Sequence, residues 1–252
     1  MLTPAIIASM LDHSTLQPFL TEEDIIKGCD IARKYRTASV CARPADMPLV
    51  ATLLQGSAVQ VCTVIGFPHG NHHTCIKVAE AQQALLDGCN ELDMVINVGK
   101  VRHGDYAYVE NEIRLLCDLA HKNNARVKVI LETCFLSDEQ IAKVCQLSAD
   151  AGCDWVKTST GYGSAGYTPH HLRIMKDNVP ACVELKASGG IRTLDQVLEA
   201  RAIGASRCGV SATEAIMKEA IARFEANTLV ELTETELKQR LAQKEQPTSA
   251  SY

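Results

Sequence analysis

Short apolar runs alternate along this chain with longer stretches whose apolar residues recur at helical spacing. Thr3 to Met10 reads as a short helix running into a first strand, Met10 to Asp12, with Asp12 as its polar stop. Thr21-Glu22-Glu23-Asp24 opens the next helix, with Thr21 as N-cap and an acidic first turn, and Ile25, Ile26, Cys29 and Ile31 carry it towards Tyr35. Ala38 to Cys41 is a strand, and Pro44 and Pro48 begin a helical segment that ends near Gly56. Val59 to Ile65 is the strongest β-run, stopped by Gly66-Phe67-Pro68. A helix over Thr74 to Leu86, a strand over Leu92 to Val98 and a helix over Tyr106 to His121 follow. Beyond them come a strand over Val127 to Leu131, leading into Glu132, and a helix over Asp138 to Ala151. The remaining strands are those at Trp155, at Val183 and over Ser206 to Val210, separated by helices over Pro169 to Asp177 and Leu194 to Ile203.

Eight strands alternating with helices over 252 residues predict an α/β protein, a single-domain (β/α)8 TIM barrel. Residues 1–236 form the barrel with its closing helices, and residues 237–252 a helix end and a polar tail closed by Tyr252. A doubly wound sheet fits less well, because no Gly-x-Gly-x-x-Gly follows an early strand.

Composition narrows the function classes. A net charge of -5 argues against nucleic acid as a partner. The apolar stretches are shorter than the ~20 residues of a membrane span. Met1-Leu2-Thr3-Pro4 has no basic n-region, so no signal peptide is expected. The 11 cysteines form no Cys-x-x-Cys, and Cys62, Cys182 and Cys208 sit in apolar strand-like runs, as small hydrophobes do. A reduced, cytoplasmic protein is the expectation.

Candidate chemistry gathers at Asp154 to Gly163, where an apolar strand stops at Lys157 and the hydroxylated loop Thr158-Ser159-Thr160-Gly161 follows. About thirty residues on, Glu184-Leu185-Lys186-Ala187-Ser188-Gly189-Gly190 repeats the pattern. In a barrel, Lys157, Lys186 and Asp93 can share the mouth. A free lysine titrates near ~10.4, and a second ammonium and a dry site both lower that value, making an amine nucleophile. Asp93 would then move protons to and from the adduct, which is Schiff-base chemistry on a carbonyl compound. Spacing leaves open that the lysines clamp a phosphate or carboxylate, or snorkel at the rim. Gly189-Gly190 and Gly209-Val210-Ser211 follow the last two strands, where such barrels bind phosphate. The run His69-Gly70-Asn71-His72-His73 lacks zinc-site spacing and reads as a solvated loop, so no metal is expected. Glu132 reads either as a barrel-lining acid or as the salt-bridge partner of Lys128.

Several motifs, in this order, resemble those of the deoxyribose-phosphate aldolases, Schiff-base enzymes with a TIM-barrel fold. They are Asp12-His13-Ser14, Ser39-Val40-Cys41, Val61 to Pro68, Glu91 to Asn97, Val156-Lys157-Thr158-Ser159-Thr160-Gly161 and Lys186 to Thr193. The similarity spans about Leu11 to Ile216. It implies that Lys157 forms the Schiff base with acetaldehyde, that Lys186 perturbs it, and that Asp93 and Lys186 relay protons. It further implies that Gly189, Gly190 and Ser211 hold the 5-phosphate, that Thr160 and Gly161 line the substrate site, and that Asp12 and Cys41 face the pocket. Relatives ending like this chain use the terminal tyrosine, here Tyr252, in proton transfer. The implied reaction is reversible cleavage of 2-deoxy-D-ribose 5-phosphate to D-glyceraldehyde 3-phosphate and acetaldehyde, with no cofactor. The partners are thus a sugar phosphate and an aldehyde, with a homodimer as the expected assembly. Ser14, Ala165 and Ala212 depart from the pattern, Ala212 replacing a second phosphate-binding serine. A transaldolase-like Schiff-base enzyme and a sugar-phosphate-binding protein without catalysis are the alternatives.

Overall fold

Eight parallel strands close on themselves in chain order in the computed structural model, which describes residues 2–233 and 235–239. They are β1 (Leu11–Thr15), β2 (Ser39–Ala42), β3 (Gln60–Ile65), β4 (Glu91–Val95), β5 (Arg126–Ile130), β6 (Trp155–Lys157), β7 (Glu184–Ser188) and β8 (Ala205–Val210). The helices are α1 (Pro4–Ala8), α2 (Glu22–Tyr35), α3 (Met47–Leu54), α4 (Thr74–Leu86) and α5 (Val98–His103), then α6 (Tyr106–Lys122), α7 (Asp138–Asp150), α8 (Pro169–Asp177), α9 (Leu194–Ile203) and α10 (Thr213–Glu225). The expected (β/α)8 barrel is the observed one.

Local chemistry explains where the helices begin. Thr21 with Asp24, Ser137 with Gln140 and Thr193 with Gln196 each form a reciprocal capping box at α2, α7 and α9. Between strands and helices runs a continuous apolar layer that includes Ile25, Met47, Leu92, Ile113, Val129 and Val144, all fully buried. Each such side chain contributes about 1.5–3 kcal/mol by burial, which holds the strand frame rigid behind the site.

Three boundaries differ from the pattern-based ones. Asp12 does not end the first strand but sits second in β1, pointing inward, and β1 runs on to Thr15. β4 stops at Val95, because the Asn97 side chain accepts the Lys100 N–H and starts α5, which Gly104 ends at φ 87°. β7 runs past Lys186 to Ser188. Cys182 is exposed in the turn before β7, whereas Cys62 and Cys208 are buried strand residues. Leu237 is buried against the core, and Arg240–Tyr252, with the expected site residue Tyr252, lie outside the described residues. Among the described residues, no helix is long and apolar enough to cross a membrane.

His13 ties β1 to the start of α10. Its Nδ1 lies 2.8 Å from Thr213 Oγ1, and burial pushes the imidazole down to about 4. An unfolded histidine titrates near ~6.5, so between these values the unfolded chain binds the extra proton and stability falls as pH falls. The loss reaches roughly 3 kcal/mol by pH ~4. The urea midpoint should therefore drop between pH 6.5 and 4, and His13→Gln should flatten that drop. Equal pH slopes in parent and variant would show that His13 is not the group responsible.

Candidate active site

A cavity of about 180 Å³ opens where the strands end in their C-terminal loops. β6 delivers Lys157 as its last residue, and strand register sets it directly beside Lys186 of β7. Both lysines line the cavity, at 3% and 1% exposure, so neither snorkels to the rim. β4 places Asp93 between them, fully buried. Lys157 Nζ lies 2.6 Å and Lys186 Nζ 2.7 Å from the same Asp93 oxygen, Oδ2. The three residues singled out from separate strands thus meet at one atom.

The cluster is larger than the sequence pattern showed. Lys186 also stands 2.6 Å from Asp12 Oδ2. Lys128 of β5 bridges Asp93 Oδ1 at 2.8 Å and Glu91 Oε2 at 2.6 Å. Arg207 of β8 reaches Asp12 Oδ1 at 2.5 Å and Glu91 Oε1 at 2.9 Å. The Trp155 ring lies beneath Lys128 and Arg207, 5.4 and 5.2 Å from centroid to charge. Glu91, Lys128 and Arg207 were missed as site residues. A period-two reading offered the signal for Glu91, since residues i and i+2 of a strand share a face and Asp93 was already assigned to the interior. Glu132 is not the partner of Lys128: its carboxylate accepts the Thr160 N–H at 3.2 Å and the Thr160 hydroxyl.

Charge decides the state of these groups. Burial acts to raise Asp93 and Asp12, but Lys128, Lys157 and Lys186 around Asp93, and Lys186, Lys128 and Arg207 around Asp12, hold both carboxyls below the ordinary range. Burial acts to lower Lys186, and Asp12 with Asp93 outweigh it, so Lys186 is held above the ordinary lysine range. Burial likewise opposes the charge on Lys128, and Asp93, Cys62 and Glu91 keep it raised. In Glu132 burial prevails over its hydrogen bonds and raises the carboxyl. Glu132 also holds a φ of 53°, a left-handed backbone rare outside glycine and common at functional sites.

The other expected site residues surround this cluster. Asp12, Cys41, Thr160 and Gly161 line the cavity, as do Gly189, Gly190, Arg192 and Ser211. A side chain at Gly166 would meet Gly189 O at 2.2 Å, so the β6 loop and the β7 loop touch backbone to backbone. That close approach falls at Gly166, while Ala165 is exposed. Ala212 stands at the N-cap of α10 with no side-chain cap, leaving the first N–H groups of the helix directed towards the Ser211 end. Among the histidines of the 69–73 loop, His69, His72 and His73 are exposed, and His73 caps α4 by accepting the Cys75 N–H.

Fold and cavity together define the class, a (β/α)8-barrel enzyme whose chemistry lies at the C-terminal ends of its strands. Residues 6–217 match the DeoC/LacD family aldolase profile. A deoxyribose-phosphate aldolase of Rhodopirellula baltica is 47% identical over 214 residues, covering 85% of this chain and 89% of its own. One of Thermococcus gammatolerans is 46% identical over 207 residues, covering 81% and 92%. The solved tetrameric deoxyribose phosphate aldolase of Aeropyrum pernix superposes with a TM-score of 0.81 at 31% identity, over 89% of this chain and 93% of that one. The chain belongs to the DeoC/LacD family of aldolases.

Proposed function

We propose that this aldolase reversibly cleaves 2-deoxy-D-ribose 5-phosphate to D-glyceraldehyde 3-phosphate and acetaldehyde through a Schiff base on Lys157. The observation that carries the reading is the single Asp93 oxygen shared by two buried lysines. Only a neutral amine attacks a carbonyl. Four buried basic side chains, Lys128, Lys157, Lys186 and Arg207, face three buried carboxylates, Asp12, Glu91 and Asp93. Lys128 and Lys186 are each held by two carboxylates, and an arginine keeps its proton. Among the described residues Lys157 pairs with Asp93 alone, and it lines the cavity where a carbonyl can reach it.

The chemistry then follows from position. The Lys157 nitrogen bonds to C1 of the open-chain sugar, and the carbinolamine loses water to give the iminium. Deprotonation of the C3 hydroxyl breaks C2–C3, and the electron pair moves into the iminium as an enamine, releasing glyceraldehyde 3-phosphate. Protonation of the enamine at C2 and hydrolysis release acetaldehyde and the free amine. Asp93, an ionised carboxylate, and Lys186, an ammonium, are the pair that accepts and returns protons. Acetaldehyde with borohydride should leave an ethyl group on Lys157. An ethyl group found on Lys186, with Lys157 unmodified, would reverse the assignment.

Phosphate belongs at the Gly189-Gly190 and Ser211 end, where glycine backbones, the Arg192 side and the α10 N-terminus favour a dianion. Unphosphorylated deoxyribose should be a much poorer substrate. Ala212→Ser should lower KM for the phosphorylated sugar severalfold and leave kcat nearly unchanged. An unchanged KM would show that the missing hydroxyl plays no part.

Tyr252 is proposed as an accessory proton donor at the enamine stage. A phenol near pKa ~10 passes a proton readily. Tyr252→Phe should lower kcat and slow exchange of the acetaldehyde methyl protons, while trapping on Lys157 persists. Parent-like exchange in the variant would remove Tyr252 from the relay.

A further inference from the structure

Two thiols lie side by side on adjacent strands, one of them lining the cavity. Cys41 of β2 and Cys62 of β3 are register partners on adjacent strands. Neighbouring strands lie about 4.8 Å apart, inside the ~4.4–6.8 Å between α-carbons that a disulfide spans. The two sulfurs and an Asp93 carboxylate oxygen all fall within 4.8 Å of one another. Cys41 lines the cavity and is therefore the sulfur a small solute meets, whereas Cys62 is fully buried behind it. The Cys62 thiol is engaged with the catalytic cluster: it donates to Asp93 Oδ1 at 3.3 Å, and Lys128 Nζ lies 3.5 Å from it.

The two sulfurs differ in character. The neighbouring Cys62 is the largest influence on the Cys41 thiol and holds it below its ordinary range, against burial and the Asp93 charge. Burial raises Cys62 well above that range. This is the division between an attacking thiolate and a resolving thiol. The same three groups lie within reach of a divalent metal, but the Lys128 ammonium stands 3.5 Å from Cys62 Sγ and 2.8 Å from Asp93 Oδ1, where it would repel a second cation. A disulfide brings no charge beside the Lys128 ammonium.

We propose that Cys41 and Cys62 form an oxidation site for peroxides, and that their disulfide switches turnover off until a thiol reductant restores it. In the first step the Cys41 thiolate attacks one peroxide oxygen. The S–O bond forms, the O–O bond breaks, and the leaving hydroxide takes up a proton as water. In the second, Cys62 gives up its proton and attacks the Cys41 sulfenic sulfur. The S–S bond forms, the S–O bond breaks, and a second water leaves. Two thiols thereby give two electrons to one peroxide. The disulfide removes the donor that Cys62 supplies to Asp93 and draws that sulfur towards β2. The loss of activity rests on the proposed role of Asp93; the crosslink does not.

The test uses the full chain with the exposed Cys75 and Cys182 replaced by serine, treated with hydrogen peroxide and quenched with catalase. Free thiols are blocked in urea with N-ethylmaleimide, and the protein is digested without reduction for mass spectrometry. A linked Cys41–Cys62 peptide should accumulate in step with a fall in kcat of roughly tenfold or more, the scale of one hydrogen bond to a charged group. KM for the sugar phosphate should stay within about twofold, because the proposed phosphate groups lie on the loops after β7 and β8 and not on β2 or β3, and dithiothreitol should return the rate. In Cys62→Ala no linked peptide should form, and dimedone should label Cys41 as the sulfenic acid. Both thiols recovered free from inactivated enzyme, or a linked pair in enzyme of unchanged kcat, would overturn the proposal. Untreated enzyme that releases no acetaldehyde would instead overturn the aldolase reading, while the peptide map still decides the crosslink.

Discussion

Lys157→Met should abolish turnover, by about 10⁴-fold or more, while leaving a folded and no less stable protein. Methionine matches the lysine stem in length and lacks the amine, so carbon–nitrogen bond formation is lost and little else. Stability should hold because the charge count improves: Lys128, Lys186 and Arg207 remain against Asp12, Glu91 and Asp93. Asp93 keeps Lys128 at 2.8 Å and Lys186 at 2.7 Å. Removing Lys157 therefore strands no carboxylate, unlike the usual removal of one buried ion-pair partner. The checks are a coupled assay for glyceraldehyde 3-phosphate, a melting curve and borohydride trapping. Turnover above about one per cent of the parent, or trapping on another residue at the parental rate, would show that the amine lies elsewhere.

In the sequence the two lysines stand out because both interrupt strands that are otherwise apolar. Lys157 follows Trp155-Val156, and Lys186 follows Leu185, in positions where a charge has no ordinary reason to be. The barrel was legible because apolar strand runs alternate with helical stretches, and Thr21 marked one helix start locally; the matching caps at Ser137 and Thr193 went unread. What stayed hidden is what depends on register. Lys128 and Arg207 look like ordinary strand charges until the barrel closes and turns them onto Glu91, Asp93 and Asp12. Glu132 was ambiguous because its neighbour in sequence, Lys128, is not its neighbour in space; Thr160 is. The end of β4 was misread because Ile96 and Val98 extend its apolar run, and only the Asn97 cap shows that a helix begins there. The departures at Ala165 and Ala212 look alike in sequence, yet one is exposed and the other heads α10.

Asp93→Asn should have the opposite profile to Lys157→Met, costing both stability and rate. It leaves four buried basic groups facing Asp12 and Glu91 alone, and breaking a buried ion pair from one side costs about 3–5 kcal/mol. Lys128, Lys157 and Lys186 each lose a carboxylate partner together. The melting temperature should fall by several degrees, so turnover is to be measured well below it, and Lys128→Met with Asp93→Asn should recover part of the loss by removing one orphaned cation. Covalent capture should survive, because the proposed nucleophile, the Lys157 nitrogen, keeps its place at the cavity. Proton movement after capture should not survive, since the amide neither accepts nor returns a proton. Borohydride trapping on Lys157 should thus still reach completion while kcat falls by about 10²–10⁴-fold, the range lost with general acid–base assistance. Exchange of the acetaldehyde methyl protons should slow by the same factor, because it reports the enamine step without the sugar. A kcat within about threefold of the parent in a folded Asp93→Asn protein would show that Asp93 only holds the lysines in place.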